Sequence, residues 1–208
     1  MGLLRKFFSN TGKPEGVMGK IVVAMMNKGH AGIASWGFSH LKLRGDEAVL
    51  DCGCGGGANI AVFLNLLAEG QVTGLDYSPV SVEKAREVNS AAIATGRCSI
   101  VQGNVQALPF DDGGFDVVTA FETVYFWPEL PRCFREMHRV LKPGGVFMIT
   151  NEASGRTKSH EKWQKIVDNM SVYTGEELEK LLTGAGFARV EIDEDLGHDR
   201  LNVRAYKG

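Results

Sequence analysis

The sequence predicts an α/β fold: a doubly wound, mostly parallel seven-stranded sheet with helices on both faces and an antiparallel last strand. Three observations carry that expectation. From Ala48 onward, short apolar runs alternate with segments of helical length, the rhythm of right-handed βαβ crossovers. Glycines at 53, 55, 56 and 57 follow directly on the first apolar run, where a strand turning into a helix needs bare backbone. The chain ends on helix, strand, strand, and two strands joined without a crossover helix pair antiparallel.

The elements follow in order. Residues 1–44 hold scattered glycines, Gly16, Gly19, Gly29, Gly32 and Gly37, among short apolar stretches, and read as an N-terminal helical cap segment on a domain spanning 45–208. Ala48-Val49-Leu50-Asp51 is a buried strand stopped by the glycines. Asn59 to Ala68 has helical periodicity, and Gln71 to Asp76 is the second strand. Ser78 caps the next helix with Pro79 at its first position; this helix is expected to run to Thr95, where Gly96 stops it. Ser99 to Gln102 is the third strand, Asp111-Asp112-Gly113-Gly114 a turn, and Phe115 to Phe121 the fourth strand. Pro128 to Leu141 is helical, Pro143-Gly144-Gly145 ends it, and Val146 to Asn151 is the fifth strand. Thr174, with Glu177 three residues on, opens the last helix as a capping box. Strands at 188–193 and 201–206 complete the sheet.

In such a sheet ligands bind beyond the carboxyl ends of the strands. The pattern Gly53-x-Gly55-x-x-Ala58 fits a dinucleotide fingerprint as well as other nucleotide sites, so the glycines alone do not choose. Asp51 does. A carboxylate at that strand end repels a pyrophosphate but attracts a ligand's ammonium group, and charge-assisted contacts of that kind are strong. Asp76, about 20 residues further on at the end of the second strand, suits a ribose diol, and Tyr77 beside it can lie against an adenine.

These stretches, with Gly103-Asn104-Val105, Leu108-Pro109-Phe110, Phe115-Asp116-Val117-Val118 and Leu141-Lys142-Pro143-Gly144-Gly145, resemble the successive motifs of the Rossmann-like class I S-adenosylmethionine-dependent methyltransferases, small-molecule branch (type 11). The resemblance covers residues 45 to 207. It implies that Asp51, Gly53, Cys54 and Gly55 hold the methionine end of S-adenosylmethionine. It implies further that Asp76 and Tyr77 take the ribose and adenine, and that Asn104 and the Val105 backbone reach the adenine edge. Many relatives have aspartate where this chain has Asn104, whose oxygen still accepts but without charge. Phe121 and Glu122 fall where the family lines the floor beneath the sulfonium.

Methyl transfer needs orientation and water exclusion more than an enzyme nucleophile. An acceptor that must lose a proton needs a base, and the candidates are Glu122, Tyr125, Glu152 and His160. Glu122 and Tyr125 share the segment 121–127 with Phe126 and Trp127, which either enclose an acceptor or pack the following helix. Residues 153–173 read as a longer connection over the acceptor. His138 is expected on a solvated helix face.

Composition excludes several classes. Basic and acidic residues number 23 and 25, for a net charge of -2, which offers no electrostatic reason for nucleic acid or an anionic membrane as partner. No run is long and apolar enough to span a bilayer, the first residues lack a signal peptide's pattern, and a cytoplasmic location is expected. Cys52, Cys54, Cys98 and Cys133 have no metal or redox spacing and read as small buried apolar residues; no metal is expected. Two other readings stay open: a S-adenosylmethionine-binding sensor or partner protein without turnover, and a NAD-dependent oxidoreductase, which leaves Asp51 and Asn104 without a role. Acceptor identity and oligomeric state are not encoded in any motif.

Overall fold

The computed structural model describes residues 31–157 and 170–208. Most of the N-terminal cap segment and of the 153–173 connection, His160 included, lies outside them. Fourteen elements, one of them a 3₁₀ turn, are described: α1 Ala31–Phe38, β1 Ala48–Cys52, α2 Ala58–Leu66, β2 Gln71–Asp76, α3 Pro79–Val88, α4 Ser90–Ala94, β3 Cys98–Gln102, β4 Phe115–Phe121, the 3₁₀ turn Val124–Phe126, α5 Leu130–Val140, β5 Leu141–Asn151, α6 Gly175–Gly184, β6 Arg189–Asp195 and β7 Arg200–Tyr206.

One seven-stranded sheet has the order β3-β2-β1-β4-β5-β7-β6. The first five strands pair parallel, and β7 runs antiparallel to both β5 and β6. The order reverses between β1 and β4, so the crevice at their carboxyl ends is where such a sheet receives a ligand.

Period-two alternation within the buried strands builds two cores. Leu50, Val118, Phe147 and Ile149 face α5 and α6, meeting Phe134, Met137, Leu178 and Leu182. Val49, Val72, Val117 and Met148 face the other way, meeting Ala34 of α1, Ile60 and Phe63 of α2, and Val82 and Ala85 of α3. In α5 the buried residues Leu130, Cys133, Phe134, Met137 and Val140 form one stripe at helical spacing. Each such side chain, fully buried, stabilises the fold by roughly 1.5–3 kcal/mol. All four cysteines are buried and free.

Two boundaries differ from the sequence expectation by more than two residues. The helix opened by Ser78 and Pro79 breaks at Asn89, whose amide donates to Gly57 O and Ala85 O, both at 3.0 Å. The side chain thus ties the end of the glycine loop to the helix and diverts the chain into α4. In addition, β5 begins at Leu141, directly after α5, because Leu141 already pairs with Phe115. Pro143-Gly144-Gly145 is therefore an irregularity within the strand rather than a gap before it: the β4–β5 register shifts between Phe115 and Val117. His138 is not simply solvated; its ring meets Phe187 edge-on at 5.1 Å. Among the described residues no helix is long and apolar enough to cross a membrane.

Candidate functional site

The glycine loop between β1 and α2 is shaped by its neighbours. Gly53, Gly55 and Gly57 all have positive φ, at 77°, 53° and 78°, which only glycine adopts without cost. A Cβ on Gly53 would stand 2.6 Å from Thr123 Cγ2, and one on Gly57 2.5 Å from the Asn89 amide. Thr123, not singled out in the sequence, also donates through Oγ1 to Cys52 O at 3.2 Å, so the end of β4 presses directly on the loop. A Cβ on Gly55 would meet nothing within 4 Å.

The loop's amides turn inward. Gly53 N and Cys54 N donate to Leu75 O at 2.7 and 3.0 Å, and Gly57 N donates to Cys54 O at 2.9 Å. Gly55 N donates to Asp76 Oδ2 at 2.9 Å. Those four donors are committed within the protein, whereas a loop that cradles a pyrophosphate presents its amides to the ligand. Asp76 Oδ1 accepts from Ser78 N at 2.9 Å, which fixes the carboxylate's direction at the end of β2. Burial raises its pKa, opposed by these backbone donors.

A cavity of about 740 Å³ opens over the loop, toward the upper end of the range for small-molecule sites (roughly 300–1,000 Å³). Its floor is Gly53, Cys54, Gly55, Asp76, Tyr77, Asn104, Val105, Phe121 and Glu122. Nine predicted ligand-binding or catalytic positions, drawn from the ends of four strands, thus stand in one wall. The opposite wall comes from Ile33, Ala34 and Phe38 of α1, Asn59, Val62 and Leu66 of α2, and Phe126, Trp127 and Pro128 beyond β4. The 121–127 aromatics therefore divide: Phe126 and Trp127 line the cavity, and Trp127 also stacks on Phe147 at 6.1 Å. The α2 contribution was missed in the sequence; its signal is Val62 and Leu66, four residues apart and both exposed (39% and 52%), an apolar pair on the outer face of a helix.

Three predicted residues among those described, Asp51, Tyr125 and Glu152, are not in the wall. Asp51 is buried beneath the loop, paired across β1–β4 with Thr119, whose hydroxyl donates to Asp51 Oδ1 at 2.8 Å. Burial raises its pKa to about 7, with Asp76 adding to the effect. Tyr125 is buried by the 3₁₀ turn and points away from the cavity. Its hydroxyl donates to Glu122 Oε1 at 3.2 Å and accepts from Ala153 N at 2.9 Å, and burial holds its pKa well above the ordinary value. Tyr125 is thus a buttress for Glu122 rather than a base facing the acceptor.

Glu122 occupies an unusual backbone position, with φ of 59°. Its amide donates to Thr150 O at 2.9 Å, and its Oε1 also accepts from Glu152 N. A left-handed non-glycine residue costs on the order of 1–3 kcal/mol and persists where its surroundings hold it in place. Desolvation, then the nearby Glu152 carboxylate, raises the Glu122 pKa to about 8. The result is a half-buried carboxyl, anchored through one oxygen, standing in the cavity wall. Glu152 itself is exposed.

Comparison with known proteins bears on the domain and its fold. Residues 50–149 match the family model of a methyltransferase domain of type 11. The chain is 30% identical over 162 residues to a cycloartenol-C-24-methyltransferase of Oryza sativa subsp. japonica, covering 73% of this chain and 46% of that protein. It is 34% identical over 128 residues to the sterol 4-C-methyltransferase strm-1 of Caenorhabditis elegans, covering 59% and 37%. The chain thus spans less than half the length of either relative. A S-adenosylmethionine-dependent methyltransferase from Aquifex aeolicus superposes with a TM-score of 0.75 at 18% identity, covering 91% of this chain and 98% of that one. A Haemonchus contortus phosphoethanolamine N-methyltransferase, solved with phosphomonomethylethanolamine and S-adenosylhomocysteine, superposes at 0.80 with 15% identity, covering all of this chain and 60% of that one. At such identities the likeness is one of fold. Through the domain at residues 50–149 this chain is similar to the type 11 methyltransferase domains, and its sheet has the fold of a S-adenosylmethionine-dependent methyltransferase of known structure.

Proposed function

We propose that the chain transfers a methyl group from S-adenosylmethionine to a small-molecule acceptor bound in the 740 Å³ cavity. The observation that carries this reading is the pairing of an inward-turned glycine loop with carboxylates at three strand ends, Asp51, Asp76 and Glu122. That set repels a pyrophosphate and suits a ligand with a cationic methionine end and a ribose.

In this reading Asp76 accepts from the ribose hydroxyls with the lone pairs its backbone donors leave over. Tyr77 and Asn104 flank the adenine, with the Val105 backbone beside them. Gly53, Cys54, Gly55 and Phe121 shape the methionine end, and Asp51 sets the sign of the field there from beneath the loop. Held by these residues, S-adenosylmethionine would supply a methyl carbon activated by its sulfonium for transfer to the acceptor's lone pair, the sulfur keeping the electrons of the bond it gives up. Glu122 takes the acceptor's proton, held in place through Tyr125 and the Glu152 amide. A carboxyl whose pKa lies near 8 is matched to proton transfer close to neutrality. The surrounding apolar side chains exclude water. His160, outside the described residues, stays a further candidate base. A partner set without nucleic acid or membrane belongs to the same proposal, supported by the net charge of -2, and so does a cytoplasmic location.

The test is S-adenosylhomocysteine release, followed by mass spectrometry, with a panel of small acceptors. A productive acceptor is expected. With it, Glu122→Gln lowers kcat by on the order of 10²-fold or more, as loss of a positioned base does. The variant also loses the rise in kcat between pH 7 and 9 that ionisation of Glu122 gives the parent. Cofactor binding without turnover of any acceptor would favour the sensor reading.

A further inference from the structure

Asn104 stands just beyond β3, where Gly103 N donates to Asp76 O at 3.0 Å and ties the chain to the end of β2. With Tyr77 and Val105 it lines the cavity. Its backbone carbonyl accepts from Ala107 N at 3.1 Å, and the two residues form an isolated antiparallel bridge. The side chain is pinned as well: Asn104 Oδ1 accepts from Gln106 N at 2.9 Å. A backbone N–H can only donate, so the amide atom that faces it is the oxygen, and this fixes which way the side chain is turned. The sequence suggests an oxygen free to accept from the base; in the structure the turn engages that oxygen. The end of the amide left for a ligand is Nδ2, which carries two donors and no acceptor. An exocyclic amine on a purine is a donor too, and two donors facing each other make no bond. A purine ring nitrogen is an acceptor and completes one.

We infer that Asn104 reads the base by donating from Nδ2 to a ring nitrogen, so that the 6-amino group of the cofactor's adenine adds little to binding. The inference deepens the proposed function and rests on its placement of the adenine beside Tyr77 and Asn104. Its test separates the two.

S-adenosylhomocysteine is titrated by calorimetry beside its 6-deamino analogue, in which hydrogen replaces the amino group and the ring nitrogens remain. Failure of S-adenosylhomocysteine to bind removes the cofactor reading, and the inference with it. Once it binds, the parent is expected to hold the two compounds within about threefold of each other. Asn104→Ala, at an exposed position, is expected to weaken both about fivefold by removing the bond they share. Asn104→Asp keeps the bond from Gln106 N but turns the free end into an acceptor. It is expected to prefer S-adenosylhomocysteine over the analogue by about tenfold, the scale of a charge-assisted bond. A parent that binds the analogue more than about threefold more weakly would have the second lone pair of Oδ1 accepting from the amine. That result overturns the inference and leaves the cofactor reading intact. So does an Asn104→Ala variant that binds both compounds as the parent does, or an Asn104→Asp variant that shows no preference.

Discussion

At the scale of single residues, Asp51 carries a distinct consequence of its burial. Its pKa is raised to about 7 from an ordinary 3.8, first by desolvation. A raised carboxyl favours the folded protein below its unfolded pKa, and that contribution is lost as pH climbs through the folded value. A cationic ligand reverses the preference by stabilising the ionised form. S-adenosylmethionine affinity is therefore expected to rise between pH 6 and pH 8 in the parent, with Asp76 and Glu122 the other raised carboxyls facing the site. Asp51→Asn keeps the bond from Thr119 but not the charge. It should bind about tenfold more weakly, ~1.4 kcal/mol, with a flatter pH profile, as calorimetry at three pH values would show. Equal affinity in parent and variant at pH 8 would remove Asp51 from the account. The sequence made Asp51 legible as a strand-end carboxylate beside a glycine loop. It did not show that strand alternation places the side chain against Thr119, below the cavity wall. Nor did it show that the turn after Glu122 would carry the Tyr125 hydroxyl away to Ala153 N.

At the scale of elements, α1 decides how much of the cavity is closed. Gly37 lies so close to the ends of β4 and β5 that a Cβ would stand 2.7 Å from Thr150 Oγ1 and 2.8 Å from the Phe121 ring. That contact brings Ile33, Ala34 and Phe38 over the site, and Phe38 packs on Phe63 and Phe121 at 4.8 and 5.1 Å. Gly37→Ala must displace α1, an overpacking expected to destabilise by about 1–3 kcal/mol. Steady-state kinetics should show acceptor KM raised several-fold while cofactor KM stays within about threefold. An unchanged acceptor KM would mean that α1 does not wall the acceptor. Elements bounded by their own residues were legible: β1 and β2 as buried apolar runs, α3 by Ser78 and Pro79, α6 by its Thr174–Glu177 box. Boundaries set by partners distant in sequence were not. The break at Asn89 depends on Gly57, and the early start of β5 depends on Phe115. Likewise nothing local in Gly37 announces the two strand ends beneath it.

At the scale of the whole molecule, the order β3-β2-β1-β4-β5-β7-β6 gathers residues between 33 and 128 into one crevice. It also sets the sign of that crevice. With a net charge of only -2, the chain as a whole has little field, yet its strand-end carboxyls Asp51, Asp76 and Glu122 converge at the switch point. The central claim is that this convergence serves S-adenosylmethionine, and calorimetric titration tests it most directly. Purified protein is titrated with S-adenosylmethionine, S-adenosylhomocysteine and NAD, with Asp76→Ala as control. The account predicts micromolar binding of the first two, loss of at least tenfold in the variant, and none for NAD. Binding of NAD, or of none of the three, would contradict it.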